Sequence, residues 1–353
     1  MTMFEYGRPA ARDESVPMVL TRFAPRIVPL RTESLGNRGG FSGAAIWRVV
    51  TSQGDFALRR WPRDGLPRER VLGLHQLLEH LRREGLSFVS VPLVSIDGTT
   101  LVSEKNDDWQ LEPWMPGIAD FHANPSPARL GAAMAALAQW HLAAARFVPA
   151  GKTLNWFASS GPTESPAVSE RLQRLRDVEG MVPVVATRLA AAGMSPVHDL
   201  ARRMLELFRR NRTVCMSELQ LIRDVRVGLQ PCLRDVWHDH LLFHGDAVTG
   251  LIDPAACRTE SITCDLSRLI GSLVSDDRSS WELAIEQYHR HRPLNTGERA
   301  LVAVLDRSGV LLSGWTWLEW IYLERRAFPD AATVLTRLNF ILRRMERMEG
   351  LNS

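Results

Sequence analysis

Residues 232–267 read CLRDVWHDHLLFHGDAVTGLIDPAACRTESITCDLS. Two apolar runs, Leu-Leu-Phe at 241–243 and Val-Thr-Gly-Leu-Ile at 248–252, flank the triplet His244-Gly245-Asp246. A Gly-Asp pair between apolar runs of strand length predicts a hairpin turn. Three aspartates mark the surroundings of that hairpin. Asp235 precedes it, Asp253 follows 18 residues later, and Asp265 comes 12 residues after that, opening a helical pattern.

Outward from this stretch the chain is mostly helical. Residues 127–147 are Ala-rich with apolar residues at helical spacing, and helices are expected at 164–178, 196–210, 215–229 and from 264 to the end. Residues 151–166 read as a loop. The first third is different. Alternating runs at 27–30, 45–50, 55–61, 99–105 and 109–115 predict strands, with turns at Gly54-Asp55 and at 106–108. One helix, 67–83, interrupts them, with a leucine stripe and Gly85 as its stop. The domain expectation is a lead-in at 1–25, a small β-rich lobe at 26–117 ending in a hinge at 110–117, and a large helical lobe at 118–353. Two unequal lobes place a ligand in the cleft between them.

Composition narrows the class. The chain has 353 residues, 45 % hydrophobic and 24 % charged, which is ordinary for a globular protein and rules out disorder as the main state. A net charge of +3 and the lack of a dense basic run argue against a nucleic-acid partner. The richest apolar stretch, 301–322, contains Asp306, Arg307 and Glu319, so no membrane span is expected. The N-terminus has no signal-peptide pattern. Cys215, Cys232, Cys257 and Cys264 lack paired spacing and read as reduced thiols of a cytoplasmic protein. Only Lys105 and Lys152 are lysine among 43 basic residues, so a role that needs a lysine before residue 105 falls to an arginine.

The Asp235–Asp253–Asp265 series resembles the aminoglycoside phosphotransferase, choline kinase and homoserine kinase family. The resemblance implies an α+β, bilobal protein-kinase-like fold, with a small β-rich N-lobe and a large helical C-lobe carrying a β-hairpin. It also implies the parts. In the loop at 233–243, Asp235 is the catalytic base that orients a hydroxyl and accepts its proton. Asp253 is the metal ligand. Asp265 is structural and tethers the catalytic loop. The triplet at 244–246 looks like the family's His-Gly-Asp, but its Asp lies only 7 residues before Asp253, which leaves no room for both loop and hairpin.

The N-terminal half adds to the likeness. Residues 35–49, LGNRGGFSGAAIWRV, resemble a phosphate-covering turn, with Gly39, Gly40 and Ser42 over the phosphates. Arg59 stands where the family has a phosphate-contacting Lys, and on a strand Arg59 and Arg60 point to opposite faces. The segment QLEPWMPG at 110–117 resembles the nucleotide hinge, with Glu112, Pro113 and Trp114 as contacts. His141, in LAQWH, reads as a core histidine.

Departures are visible too. His240 stands in place of the Asn that is the second metal ligand; imidazole suits Mg²⁺ poorly, so His240 is expected as a second metal ligand, for Mn²⁺, or as a phosphate contact, unless it marks lost activity. Leu233-Arg234 precede Asp235 in place of His-Gly, and Pro254 follows Asp253. No helix Glu clearly pairs with Arg59, since Glu69 and Glu79 flank the matching spot near Leu74 or His75. The implied cofactors are ATP, with GTP possible, and Mg²⁺ or Mn²⁺. The implied partner is a small-molecule hydroxyl acceptor, whose pocket Trp156, Trp237, Trp281, Trp315, Trp317 and Trp320 are placed to line if they are not core. Two other readings stay open. One is a catalytically impaired relative that binds nucleotide or a small molecule as a regulator. The other is a metal phosphohydrolase built on His238, Asp239, His240, His244 and Asp246. Gly151-Lys152-Thr153 is rejected as a P-loop, because no Gly stands five residues before Gly151.

Overall fold

A computed structural model describes residues 14–23, 27–36, 44–328 and 330–350. It has the expected α+β, two-lobed architecture. Five antiparallel strands form the small lobe: β1 (Pro29–Gly36), β2 (Ala45–Thr51), β3 (Gly54–Arg60), β4 (Val102–Glu104) and β5 (Asp107–Pro113), in the spatial order β1-β2-β3-β5-β4. Alternation sorts the two faces. Trp47, Val49, Leu58, Trp109 and Leu111 are buried on one of them against α1 (Ser15–Thr21) and Phe23. Residues inside the expected lead-in therefore build the core of this lobe. The other face carries Arg48, Ala57, Arg59, Gln110 and Glu112, brought side by side by the pairs Arg48↔Ala57, Ala57↔Glu112 and Arg59↔Gln110.

Both turns differ from their sequence-based placement. Thr51 pairs with Gly54, so Ser52-Gln53 form the first, and the Thr51 hydroxyl closes it by donating to the Gly54 carbonyl at 2.7 Å. The second is Lys105-Asn106, both at positive φ (50° and 66°), as a two-residue turn with right-handed strand twist requires. Between β3 and β4 lies α2 (Arg68–Arg83), whose leucines pack into the central core.

The large lobe begins with α3 (Pro127–Ala144), capped by the Ser126 hydroxyl, which accepts from the Arg129 amide. There follow α4 (Leu154–Phe157), β6 (Ser160–Glu164), α5 (Pro166–Asp177), α6 (Val182–Ala191), α7 (Pro196–Leu221) and β7 (Arg226–Cys232). The hairpin is β8 (Leu241–His244) and β9 (Ala247–Leu251), then β10 (Arg258–Glu260), α8 (Ile262–Val274), α9 (Arg278–His291), α10 (Thr296–Tyr322) and α11 (Ala331–Gly350). The helices expected at 196–210 and 215–229 are thus one helix and a strand. A buried stripe of Met204, Leu207, Phe208, Asn211, Cys215 and Leu219 runs through the expected gap, and the Asn211 amide donates back to the Leu207 carbonyl. β7 is the middle strand of a β10-β7-β6 sheet. No described helix is long and apolar enough to cross a membrane.

The lobes meet at the hairpin. Ile118 exchanges both backbone hydrogen bonds with Phe243 (3.0 and 2.9 Å), and the Leu251 amide donates to the Phe88 carbonyl at 2.8 Å. Gly117 makes this approach possible. Its φ is +104°, and a Cβ there would sit 2.4 Å from the Thr249 hydroxyl and 2.9 Å from the Phe243 carbonyl oxygen.

Candidate active site

The loop between β7 and β8 is held from below by α8. Ser261 caps that helix, and Asp265 in its first turn is fully buried. One Asp265 oxygen accepts the Leu233 amide at 2.7 Å and the His141 Nε2 at 3.0 Å; the other accepts the Arg234 amide at 2.6 Å. His141 of α3 is in turn bonded through Nδ1 to the Tyr288 hydroxyl at 2.7 Å. Burial favours the neutral ring, against the opposing pull of Asp265, so Nε2–H donates and Nδ1 accepts. With Cys232, His141 and Asp265 form a group whose ligand atoms lie within 4.8 Å of one another. These atoms are engaged in hydrogen bonds, including one from the Cys232 thiol to the Glu260 carbonyl. The tethered backbone then turns at Arg234, whose φ of +62° lies in the left-handed region. That conformation explains why glycine suits this position and costs about 1–2 kcal/mol with a side chain.

The turn delivers Asp235 to the cleft surface. Its carboxylate pairs with Arg268 of α8, and its side chain is 51 % exposed. Burial alone would raise the Asp235 carboxyl, but Arg268, His240 and Arg337 outweigh it and hold it below the usual carboxylate range. His240 is buried. Its Nε2 accepts the Trp237 indole N–H at 2.6 Å, and the Asp235 backbone bonds the same ring. The ring lone pair expected to reach a metal or phosphate is therefore occupied within the loop. The His240 carbonyl also accepts the Ile252 amide at 3.0 Å, tying the loop to the residue just before Asp253.

Asp253, two residues past the end of β9, adopts φ 55°, ψ 56°. A non-glycine residue in that region stores about 1–3 kcal/mol, a pattern that concentrates at functional sites. One Asp253 oxygen accepts Arg59 Nη1 at 2.9 Å, across 194 residues of chain. Arg59 is buried, and its guanidinium also lies 5.4 Å from the Trp61 ring. The strand arginine thus meets the hairpin aspartate directly. Among the described residues no α2 carboxylate reaches it. Glu69 pairs with Lys152 and Glu79 with Arg83, both at the surface. The spot facing Arg59 is filled by His75, bonded to Thr100 at 2.7 Å and Gln110 at 2.9 Å. Burial pushes its pKa down to about 4.

At the hinge, Glu112 is half-buried and accepts the Gln110 amide at 3.2 Å. Burial pushes its carboxyl up; Arg59 offsets part of this and Asp253 adds to it. Glu112 therefore faces the Arg59–Asp253 pair. The Trp114 amide donates to the Asp55 carbonyl at 2.9 Å, and its ring lies under Arg48 at 4.9 Å. Gly39, Gly40 and Ser42 lie outside the described residues.

The hairpin turn is Gly245-Asp246, with Gly245 at φ +58° and His244 paired to Ala247. His238 bonds Ser272 at 2.7 Å, and His244 and Asp246 sit at the far end of the hairpin. Among the described residues these side chains form no group of three or more with ligand atoms drawn together.

Asp235, Asp253 and His240 open onto one cavity of about 590 Å³ between the loop, α8, α10 and α11. Of the tryptophans, Trp237, Trp317 and Trp320 line it, while Trp315 is core against Phe208 and Trp156 and Trp281 pack on the central core. The cavity also receives Arg268 and Arg337. The sequence reading passed over both. Arg268 lies three residues after Asp265, one helical turn along α8, which places it on the side of the loop that Asp265 anchors. Nothing in the sequence around Arg337 marks it.

The model of the phosphotransferase enzyme family matches residues 35–301. No curated protein sequence matches the chain. Three solved structures share the fold. A spectinomycin phosphotransferase in complex with ADP and spectinomycin has a TM-score of 0.67 at 10 % identity, over 97 % of this chain and 99 % of that one. An aminoglycoside phosphotransferase from Alicyclobacillus acidocaldarius gives 0.65 at 15 % identity, over 96 % of each chain. An amicoumacin kinase in complex with AMP-PNP, Ca²⁺ and Ami gives 0.61 at 14 % identity, over 95 % of this chain and 94 % of that one.

Proposed function

The chain belongs to the phosphotransferase enzyme family, and from that premise we propose that it moves the γ-phosphoryl group of ATP to a hydroxyl of a small molecule. One observation carries the reading: Asp235 and Asp253, placed by a tethered loop and by a hairpin end, open onto the same cavity. Phosphoryl transfer needs positioning and charge neutralisation more than covalent chemistry. Asp235 orients the acceptor hydroxyl and takes its proton as the new P–O bond forms; the bond to the β-phosphate breaks and ADP leaves.

Asp253 would hold a divalent cation. The donor set fits a hard ion, because Mg²⁺ takes one or two protein carboxylates and completes its shell with phosphates and water. Among the described residues the second Asp253 oxygen carries no bond. The cation would neutralise charge on the phosphates. Arg59 supports the phosphates from the strand. Glu112 and Trp114 border the base. The nucleotides in the similar structures, ADP and AMP-PNP with Ca²⁺, support a nucleotide and a divalent ion here.

A second reading, a nucleotide-binding regulator without transfer, draws on the Arg59–Asp253 ion pair and the occupied His240 ring. Asp235→Asn separates the two. In an acceptor screen followed by ADP release, transfer by the wild-type chain that falls at least about 100-fold in the variant, with nucleotide binding intact, supports the kinase. Transfer unchanged in Asp235→Asn removes Asp235 as the base. Nucleotide binding without transfer to any acceptor favours the regulator.

A further inference from the structure

The acceptor cavity has an uneven charge inventory. Its carboxylates are Asp235, Asp253 and Asp306. Asp235 and Asp253 belong to the transfer machinery. Asp306 is tied to Arg344 at 2.7 Å, and that arginine also holds Asp276 at 3.0 Å. No cavity carboxylate is left to receive a cationic group. The arginines divide differently. Arg344 is spent on those two acids, and Arg171 bonds the Ser308 hydroxyl at 2.8 Å and the Leu305 carbonyl.

Arg268 and Arg337 remain, both within electrostatic reach of Asp235. Arg268 pairs with Asp235. Arg337 stacks its guanidinium over the Trp237 ring, 3.8 Å from the ring centroid, and both side chains line the cavity. Among the described residues Arg337 makes no ion pair; Asp239 is within its electrostatic reach but forms no bond with it. Both arginines line the cavity, Asp235 is ion-paired with Arg268 alone, and Asp239 is not among the lining residues, so Arg337 is left in a part-buried site to receive an anion.

We infer that the acceptor carries an anionic group, a carboxylate or a phosphate, beside the hydroxyl it presents to Asp235, and that Arg337 with Arg268 receives it. The inference rests on the phosphotransfer reading only for the word acceptor; the charge preference of the cavity stands on the arginines alone. Arg337 is a specificity-determining residue in this account. An amine-bearing acceptor finds no free partner here, and a neutral one leaves Arg337 unpaired.

The test uses one three-carbon skeleton in four charge states: glycerate, glycerol 3-phosphate, glycerol and 3-amino-1,2-propanediol. Each is titrated into the wild-type chain saturated with ADP and Mg²⁺, by calorimetry. At least one anion should bind about tenfold or more tighter than glycerol, with the amine weakest. Which anion wins distinguishes a carboxylate site from a phosphate site. Arg337→Met, which keeps an apolar stem over Trp237, should erase the preference. Arg337→Lys should keep part of it, and thermal unfolding checks that both variants are folded. A preference for the amine, or no ranking by charge (uniformly weak binding included), overturns the proposal. A charge ranking that survives in Arg337→Met overturns the assignment to that residue. A separate thermal-shift titration with ATP, with and without Mg²⁺, keeps the two claims apart. An anion preference without metal-dependent nucleotide binding counts against phosphotransfer and leaves the receptor standing.

Discussion

Asp265→Asn is the sharpest structural perturbation, because it changes one oxygen to an amide and keeps the volume. The buried carboxylate accepts three hydrogen bonds, from the Leu233 and Arg234 amides and from His141. Asn retains one acceptor. In its better orientation the carbonyl oxygen faces Leu233 and His141, and the NH₂ group is pressed against the Arg234 amide. That leaves a buried donor unsatisfied, which costs about 1–3 kcal/mol, and weakens two charge-assisted bonds to neutral ones, at about 1 kcal/mol each. The total is roughly 3–5 kcal/mol. At about 2 °C per kcal/mol for a domain of this size, the melting temperature should fall by roughly 6–10 °C. The loss is local to the backbone that aims Asp235, so kcat should drop about 100-fold, as for a misplaced reacting group. Thermal unfolding and acceptor turnover are measured on the same preparation. A variant that melts within 1 °C of wild type and turns over normally would refute the tether.

Other perturbations follow from single features. His75 has a folded pKa of about 4 against 6.5 when unfolded. Below 6.5 the unfolded chain binds the proton and the folded one does not, so the His75 contribution is intact above that pH. It is lost at about 1.4 kcal/mol per unit, roughly 3 kcal/mol in all, as pH falls to about 4. Urea unfolding at pH 7, 6 and 5 should show a shallower acid loss in His75→Gln; equal slopes contradict the account. Arg234 sits at φ +62°, so Arg234→Gly should be more stable than Arg234→Ala by about 1 kcal/mol, since both lose the Glu170 ion pair but only Gly relieves the backbone. Chemical denaturation that ranks Ala at or above Gly rejects that strain. Gly117→Ala brings a Cβ to 2.4 Å from the Thr249 hydroxyl at φ +104°. It should cost more than about 1 kcal/mol and raise hydrogen exchange at the Ile118 and Phe243 amides. Unchanged protection there would mean the hinge does not depend on that close approach.

The placement of Asp235, Asp253 and Asp265 around the hairpin was legible because their spacing lies in one local stretch, and a hairpin turn is a local signal. Arg59 was legible as the basic residue of its strand, but its partner was not. The pairing with Asp253 spans 194 residues, and no periodicity reports such a contact. The same limit hid the small-lobe role of residues 15–23, whose apolar face acquires meaning only against Trp47 and Trp109. β6 and β7 escaped notice because SGPTE and RVGLQPC carry Gly and Pro in short strands that depend on tertiary pairing rather than propensity. His240 shows a subtler gap. Its residue type pointed to a metal, yet Trp237 three residues earlier supplies the donor that occupies its ring nitrogen.

The most direct test of the central claim is nucleotide binding by thermal shift, with ATP, GTP and ADP, each with Mg²⁺, with Mn²⁺ and with neither, on the wild-type chain and on Asp253→Ala. A ligand at 100 times its Kd adds about 2.7 kcal/mol of stability, well within the reach of the method. The account predicts a shift with ATP that depends on the metal in the wild-type chain and loses that dependence in Asp253→Ala. A shift of the same size with and without metal in both proteins, or none with any nucleotide, would contradict it.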